Sequence, residues 1–220
     1  IVLTEDKEHG RRAALEFSKK KFPEKIVIGC GGDGTIGELA GVLHGTDTSL
    51  GLIPMGTGND FSKNFDYTDF KIEDTFYPFI KPIDLIEVND KICINVMSLG
   101  FDTQVLKNTY EFLKLRPKMG KRAFIYGIIK SLLDVNHEDL EFDLVLANGE
   151  NVKVADTYTI TALCNGAFYG SGFNPAPSSL LDDGVLNLIA IEKLSLITMP
   201  PLIMRYKKGT HMDYKKVNEY

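Results

Sequence analysis

Cysteine is scarce. Cys30, Cys93 and Cys164 are the only three in 220 residues. They lie far apart, form no C-x-x-C pair and have no histidine at a zinc-binding spacing. They are expected to be small buried hydrophobes in a reducing compartment. The four histidines, His9, His44, His137 and His211, form no ligand pattern. No apolar run approaches the roughly 20 residues that span a bilayer, and no stretch resembles a secretory leader, so the expected location is cytoplasmic. Positive charge is not in excess. Lys and Arg number 25 against 30 Asp and Glu, giving a net charge of −5 and a pI near 5.4, which excludes a nucleic-acid binder that works by bulk charge and leaves only local basic patches. Internal repeats and low-complexity tracts are missing as well. There is no starting methionine, and Ile1-Val2-Leu3-Thr4 reads as the end of a strand, so the chain is expected to begin inside a domain.

What is present is apolar content of 44%, enough for one large core or two modest ones; two are expected. The chain is organised around Ile26-Val27-Ile28-Gly29-Cys30-Gly31-Gly32-Asp33-Gly34-Thr35, followed by Ile36 to Leu43. Three β-branched residues in a row suit a strand buried on both faces. Ile36, Leu39, Ala40 and Leu43 then recur at helical spacing. A strand, a glycine loop and a helix in that order favour a phosphate at the helix start, where unpaired N–H groups and partial positive charge coincide. The run matches G-x-G-x-x-G literally, but the next strand, Leu50 to Ile53, ends in Pro54-Met55 rather than in the acid that a dinucleotide fold places on the ribose. No Gly-Lys-Ser/Thr follows, so the Walker pattern fails too. An acid inside a phosphate loop repels the ligand unless a divalent cation or a base intervenes, so Asp33 suggests Mg²⁺-nucleotide.

The alternation of Ile1–Leu3, Lys7–Lys20, Ile26–Ile28, Ile36–Leu43 and Leu50–Ile53 predicts a parallel sheet with ligands beyond the carboxyl ends of its strands. At that same edge a second glycine loop follows, Met55-Gly56-Thr57-Gly58-Asn59-Asp60, then Phe61 and Ser62. Both loops should face one crevice. From about Asp84 the pattern changes to strands: Ile92–Met97, Phe142–Leu146, Val152–Val154, Tyr158–Thr161 and Val185–Ile189, with Asn148-Gly149 as a hairpin signal. The stretch Phe70 to Pro82 reads as the hinge. Within the β part, Thr103 to Leu113 and a basic cluster (Lys114, Arg116, Lys118, Lys121, Arg122) lead into a helix bearing Phe124, Ile125, Ile128, Ile129, Leu132 and Leu133. Contact with anionic lipid headgroups is one reading. The preferred one packs the apolar stripe on the sheet, because amphipathic helices usually bury it in their own core.

Gly31-Gly32-Asp33-Gly34-Thr35, Gly56-Thr57-Gly58-Asn59-Asp60-Phe61 and Pro82-Ile83-Asp84 together resemble the diacylglycerol-kinase catalytic domain of bacterial lipid kinases, relatives of sphingosine and ceramide kinases. The similarity runs on through Asn95, Gly100-Phe101-Asp102, Asn165 and Asp183-Gly184, nearly the whole chain. It implies an α/β nucleotide-binding domain with a phosphofructokinase- and NAD-kinase-like parallel sheet at residues 1–84, its first strand truncated. A mostly antiparallel β-sandwich domain would follow at 85–220, with the helical insertion at about 103–134 and its C-terminal part truncated. It further implies ATP bound by Thr4, the run from Gly32 to Glu38 (with Gly31 before it) and the second loop (Gly56, Thr57, Gly58, Asn59). Catalytic Mg²⁺ would be held through water by Asp33, Asp60 and Asp84. A structural Mg²⁺ would sit on the Asp183 side chain and the carbonyls of Leu180 and Val185, although without the resemblance that segment is a plain Asp-Gly turn. The family's general base is a Glu in an Asp-Gly-Glu motif well beyond Asp183; Glu219 follows Asn218 and is not assigned, so the base is expected past Tyr220.

The function this implies is transfer of the γ-phosphoryl of ATP to a lipid hydroxyl, most simply diacylglycerol to phosphatidate, by an enzyme peripherally associated with the membrane. The expected partners are a lipid substrate at the membrane surface and a second copy of the chain in a homodimer, with no nucleic acid. The alternatives are an NAD-kinase-like enzyme, which would carry an Asn-Glu pair near Gly58-Asn59-Asp60, and a nucleotide-binding module without catalysis.

Overall fold

The computed structural model describes residues 1–120 and 122–220; Lys121 of the basic cluster lies outside the described residues. Helix α1 (Lys7–Ser18) starts at Asp6, whose carboxylate accepts from the His9 N–H at 2.7 Å, the usual way an N-cap satisfies a free donor. Strand β1 (Ile26–Gly31), helix α2 (Asp33–Leu43) and strand β2 (Ser49–Pro54) follow. The strands pair in parallel from Ile26↔Ser49 to Gly31↔Pro54, so both carboxyl ends reach one edge, as expected. Ala14 of α1 packs with Leu39 and Leu43 of α2, and Val27 and Leu50 of the sheet close that cluster.

Three local readings need correction. Ile1–Leu3 forms no strand and is exposed; apolar content makes a strand only where a neighbour completes the ladder. β1 is not buried on both faces: Val27 and Gly29 turn toward the helices, while Ile28 and Cys30, on the opposite face by the two-residue period, are exposed. Of the cysteines only Cys164 is fully buried.

The second half is built on an antiparallel sheet, as expected. β3 (Ile86–Val88) and β4 (Lys91–Cys93) form a separate hairpin across Asn89 and Asp90, both at positive φ, the geometry of a tight strand reversal. The expected strand Ile92–Met97 therefore divides at Asn95. Its carbonyl accepts from the N–H groups of Asn165 and Gly166 at 2.8 and 3.2 Å, and the chain crosses there to β5 (Val96–Gly100). The segments read as Val152–Val154 and Tyr158–Thr161 are one strand, β7 (Asn151–Cys164). It pairs with β6 (Glu138–Val145) along its first half, β5 along its second, and β8 (Asn187–Glu192). A short β9 (Val217–Glu219) completes the five-stranded sheet. The Asn148-Gly149 reversal is present, with Gly149 at φ +82 and its N–H on Leu146 O at 2.8 Å.

Helices α3 (Phe101–Leu115), α4 (Arg122–Leu132) and α5 (Met199–Lys208) cover one face of this sheet. Phe101, Val105, Met199, Leu202 and Tyr206 share a core with Ile160, Ala162, Ile189 and Ile191. Helix α4 crosses α3 closely, because Gly127 leaves no room for a Cβ beside Thr109. The apolar stripe expected on α4 is divided. Phe124, Ile128 and Leu132 pack on the core, whereas Ile125, Ile129 and Leu133 are 59%, 57% and 82% exposed.

Candidate active site

The two glycine loops meet backbone to backbone. The Met55 N–H donates to Gly31 O at 2.8 Å, and a Cβ added at Gly32 would lie 3.0 Å from Gly56 Cα. One added at Gly56 would fall inside the envelope of Gly32 Cα and 2.8 Å from Asn59 Oδ1. Asn59, at φ +50, accepts the Gly56 N–H on that oxygen at 2.8 Å, so the loop is tied across its own turn. Helix α2 begins here with Gly32 at its cap and no side chain on its first N–H groups. Nothing lies within 4 Å of a Cβ built at Gly34; Thr35 and Thr57 are exposed and Glu38 half-buried. Open space thus stands before free donors at the positive end of a helix, which suits a phosphate.

Two of the three predicted acids come together. A Cβ at Gly58 would lie 3.0 Å from Asp33 Oδ2 and 3.5 Å from Asp60 Oδ2. Asp33 sits in the first turn of α2 and accepts the Phe61 N–H on Oδ1 at 2.8 Å. Asp60 is buried. Its Oδ1 is paired with Lys63, which also donates to Gly58 O at 3.0 Å, and its Oδ2 accepts the Ser171 N–H at 2.7 Å. Asp84 is elsewhere, on the 180–185 turn: its N–H donates to Leu181 O at 2.6 Å and its Oδ2 accepts the Gly184 N–H at 2.7 Å. A network of amide side chains, with Asn165 buried at its centre, joins the two places. Asn165 donates to Asp84 O at 2.6 Å, Asn95 to Phe168 O at 2.7 Å, and Asn64 accepts the Ala167 N–H at 2.8 Å.

In that same turn Asp183 accepts the Val185 N–H on Oδ1 at 3.1 Å, an Asx turn beside exposed Leu180. Thr4 is exposed beside Gly10 of α1, with no hydrogen bond among the described residues. Glu219 holds Ser178 and Asn187, both at 2.9 Å. Among the described residues no group of three or more His, Cys, Asp or Glu side chains converges as a complete metal cage.

The sequence reading missed what lies behind the Ser171 loop. An apolar pocket of about 140 Å³ opens between the sheet and α3, α4 and α5, walled by Phe101, Leu106, Phe124, Ile128 and Phe173, with Gly170 at one side. Its polar group is Asp102, which accepts the Tyr169 hydroxyl at 2.7 Å; that hydroxyl lies 3.3 Å from the Tyr206 oxygen. Burial pushes the Asp102 carboxyl up to about 6 despite these bonds. A raised carboxyl pKa means that the folded state holds its proton more tightly than the unfolded one. Stability is therefore highest below about pH 4 for this group and falls as the pH rises through about 6. Asp102→Asn keeps an acceptor for Tyr169 and removes the charge. It should raise stability at pH 7.5 by about 3 kcal/mol and flatten the stability profile between pH 4 and 7, as read by urea unfolding.

With this geometry in view, the comparisons with known proteins are specific. The family profile described as diacylglycerol kinase catalytic domain matches residues 1–88, and that described as YegS C-terminal NAD kinase beta sandwich-like domain matches residues 95–220. The chain is 31% identical over 195 residues to a protein named lipid kinase YegS from Escherichia coli (strain K12), covering 82% of this chain and 61% of that protein. The chain spans between 55% and 61% of the length of such curated relatives. A crystal structure titled as a diacylglycerol kinase from Bacillus anthracis str. Sterne superposes with a TM-score of 0.68 at 18% identity, covering 100% of this chain and 70% of that one; at that identity the likeness establishes the fold.

Proposed function

The chain belongs to the lipid kinase family defined by these two domains, and from that premise we propose that it moves the γ-phosphoryl group of ATP to a lipid hydroxyl, most simply that of diacylglycerol. The observation that carries the reading is the junction at Asp60. One carboxylate oxygen faces the glycine crevice and also holds the backbone of the Gly170–Gly172 loop, which borders the apolar pocket. A nucleotide site and an apolar acceptor site therefore share a wall.

Phosphoryl transfer needs phosphates held in place, their charge neutralised and an acceptor hydroxyl aligned. The free N–H groups at the start of α2 and the Gly56–Gly58 turn support the first role, because their close backbone approach leaves space only for a ligand. Asp33 and Asp60 fit Mg²⁺, which binds through one or two carboxylates with substrate phosphates and water completing its shell. When bound, Mg²⁺ would supply charge neutralisation at the phosphate oxygens. Lys63 pairs with the single charge of Asp60 beside the loop. Acyl chains would occupy the pocket against Phe124, Ile128 and Phe173, leaving the polar end toward the Ser171 loop. Asp84 and the 180–185 turn brace the junction through Asn165, and oxygen donors at Leu180, Asp183 and Val185 would suit a structural Mg²⁺. Deprotonation of the acceptor is assigned to no residue of this chain.

The test offers the full-length gene product radiolabelled ATP with a panel of diacylglycerol, sphingoid and ceramide lipids and NAD, with and without Mg²⁺. Labelled phosphatidate formed only with the metal is the expected result. Label on NAD alone, or nucleotide binding without any transfer, would overturn the proposal.

A further inference from the structure

The short turn Phe61–Asn64, directly after the second glycine loop, carries a cation that both halves of the molecule approach. Three of its four side chains are committed elsewhere. Phe61 is in the core with Ile36 and Ile94, the Ser62 hydroxyl donates to Asn59 O at 2.8 Å, and Asn64 donates to Phe61 O while accepting the Ala167 N–H. The fourth, Lys63, reaches the crevice. Its ammonium donates to Gly58 O at 3.0 Å and pairs with Asp60 Oδ1. From the other side, a Cβ built at Gly172 would stand 3.7 Å from the same nitrogen. Ser171 at φ +68 and Gly172 at φ +96 give that loop the left-handed bend that brings its backbone this close.

The ammonium therefore lies between the loop that faces the nucleotide and the loop that borders the apolar pocket. Among the described residues no other lysine or arginine bonds to either one. An ammonium has three N–H donors, and two are used here. The third has no acceptor among the described residues, and the side chain keeps 35% of its surface open. Balancing Asp60 takes one donor and the Gly58 carbonyl another, so both hold the nitrogen in place before any ligand arrives. Such fixing in advance is what makes a charge effective in a transition state. During phosphoryl transfer, charge spreads over three equatorial oxygens while the group passes between two others roughly in line. A cation standing between donor wall and acceptor wall is nearest to that charge at mid-passage.

We propose that Lys63 is a catalytic residue whose remaining N–H holds an equatorial oxygen of the phosphoryl group in transit. This role rests on the kinase reading above. The γ-phosphorus bonds to the lipid oxygen as its bond to the bridging oxygen of ADP breaks, and ADP leaves with that electron pair. The hydroxyl proton passes to a carboxylate base assigned to no residue of this chain, and Lys63 stays an ammonium throughout.

The experiment uses the full-length gene product with Mg²⁺ present, as wild type, Lys63→Gln and Lys63→Arg. Titration calorimetry reads the affinity for ADP alone and for ADP with fluoroaluminate, a mimic of the phosphoryl group in transit; labelled ATP with dispersed diacylglycerol gives kcat and KM. Both variants should bind ADP within about threefold of wild type. Lys63→Gln should lose about thirtyfold in affinity for the fluoroaluminate complex and a similar factor in kcat, with KM little changed, because the contact is made only in the transition state. That loss is smaller than the roughly 10²- to 10³-fold of an enclosed donor, since this side chain is partly in water. Lys63→Arg keeps the charge and should stay within about tenfold of wild type. Asp60→Asn, compared with Asp60→Asn/Lys63→Gln, repeats the measurement without leaving a buried carboxylate unpaired, so a folding defect in Lys63→Gln does not decide the result. Equal losses for ADP and for the fluoroaluminate complex overturn the proposal, because the lysine then only braces the loops. So does fluoroaluminate binding by Lys63→Gln within about threefold of wild type. Selective loss in a protein that transfers label to no lipid leaves Lys63 on the phosphoryl group and overturns the lipid acceptor instead.

Discussion

Asp33→Asn in the full-length gene product is expected to lower turnover by roughly 10²- to 10³-fold, the scale on which a preorganised charge acts in a transition state, while the thermal transition stays at the wild-type value. Asparagine keeps an oxygen for the Phe61 N–H that Asp33 accepts at 2.8 Å, so the loop geometry survives and only the charge facing Gly58 is lost. Asp33→Ala separates the two effects. It removes the charge and also leaves the Phe61 donor unpaired, which costs about 1–3 kcal/mol of stability. Steady-state turnover beside calorimetry reads both. Turnover by Asp33→Asn within threefold of wild type would remove this residue from the charge-handling group.

Gly56→Ala has the second large effect, and it acts on binding. The added Cβ runs into Gly32 Cα and approaches Asn59 Oδ1 to 2.8 Å. Backbone on one side and a bonded amide on the other cannot step aside as a flexible side chain would. The loops must part, at a cost of about 1–3 kcal/mol, and nucleotide affinity should fall by about a hundredfold because the cradle depends on their spacing. Gly34→Ala is the contrast. Nothing lies within 4 Å of its Cβ, and alanine in a helix is favoured over glycine by about 0.8–1.0 kcal/mol. This variant should therefore melt higher without ligand yet bind nucleotide more weakly, because its methyl group enters the space before the helix. Calorimetric titration with a non-hydrolysable ATP analogue, alongside melting curves, distinguishes the two.

The glycine loops were legible in the sequence because their signal is local. β-branched residues, clustered glycines and a helical repeat occupy one short stretch, and a parallel pairing brings two such stretches to one edge. What the acids do was less legible. Asp60 finds its main backbone donor in Ser171, 111 residues away, and no local rule foresees that bond. Asp102 enters the sequence reading only within Gly100-Phe101-Asp102; its desolvation arises only when three helices and a sheet close round it. The strand division at Asn95 likewise depends on contacts with Asn165 and Gly166, while the fusion of two short segments into β7 depends on continuous partners along its edges. On α4 the six apolar residues were read as one stripe, yet only Phe124, Ile128 and Leu132 find the core. A helix has one buried side here, and the sequence held more oil than that side could take.

The Asp60–Ser171 hydrogen bond ties the glycine crevice to the loop beside the apolar pocket. Whatever draws electron density from that carboxylate, a cation above all, weakens its grip on the loop bordering the apolar pocket. By thermodynamic reciprocity, any factor by which nucleotide alters lipid affinity must equal the factor by which lipid alters nucleotide affinity. An ordered preference in substrate addition would then originate in a single oxygen atom answering to two ligands.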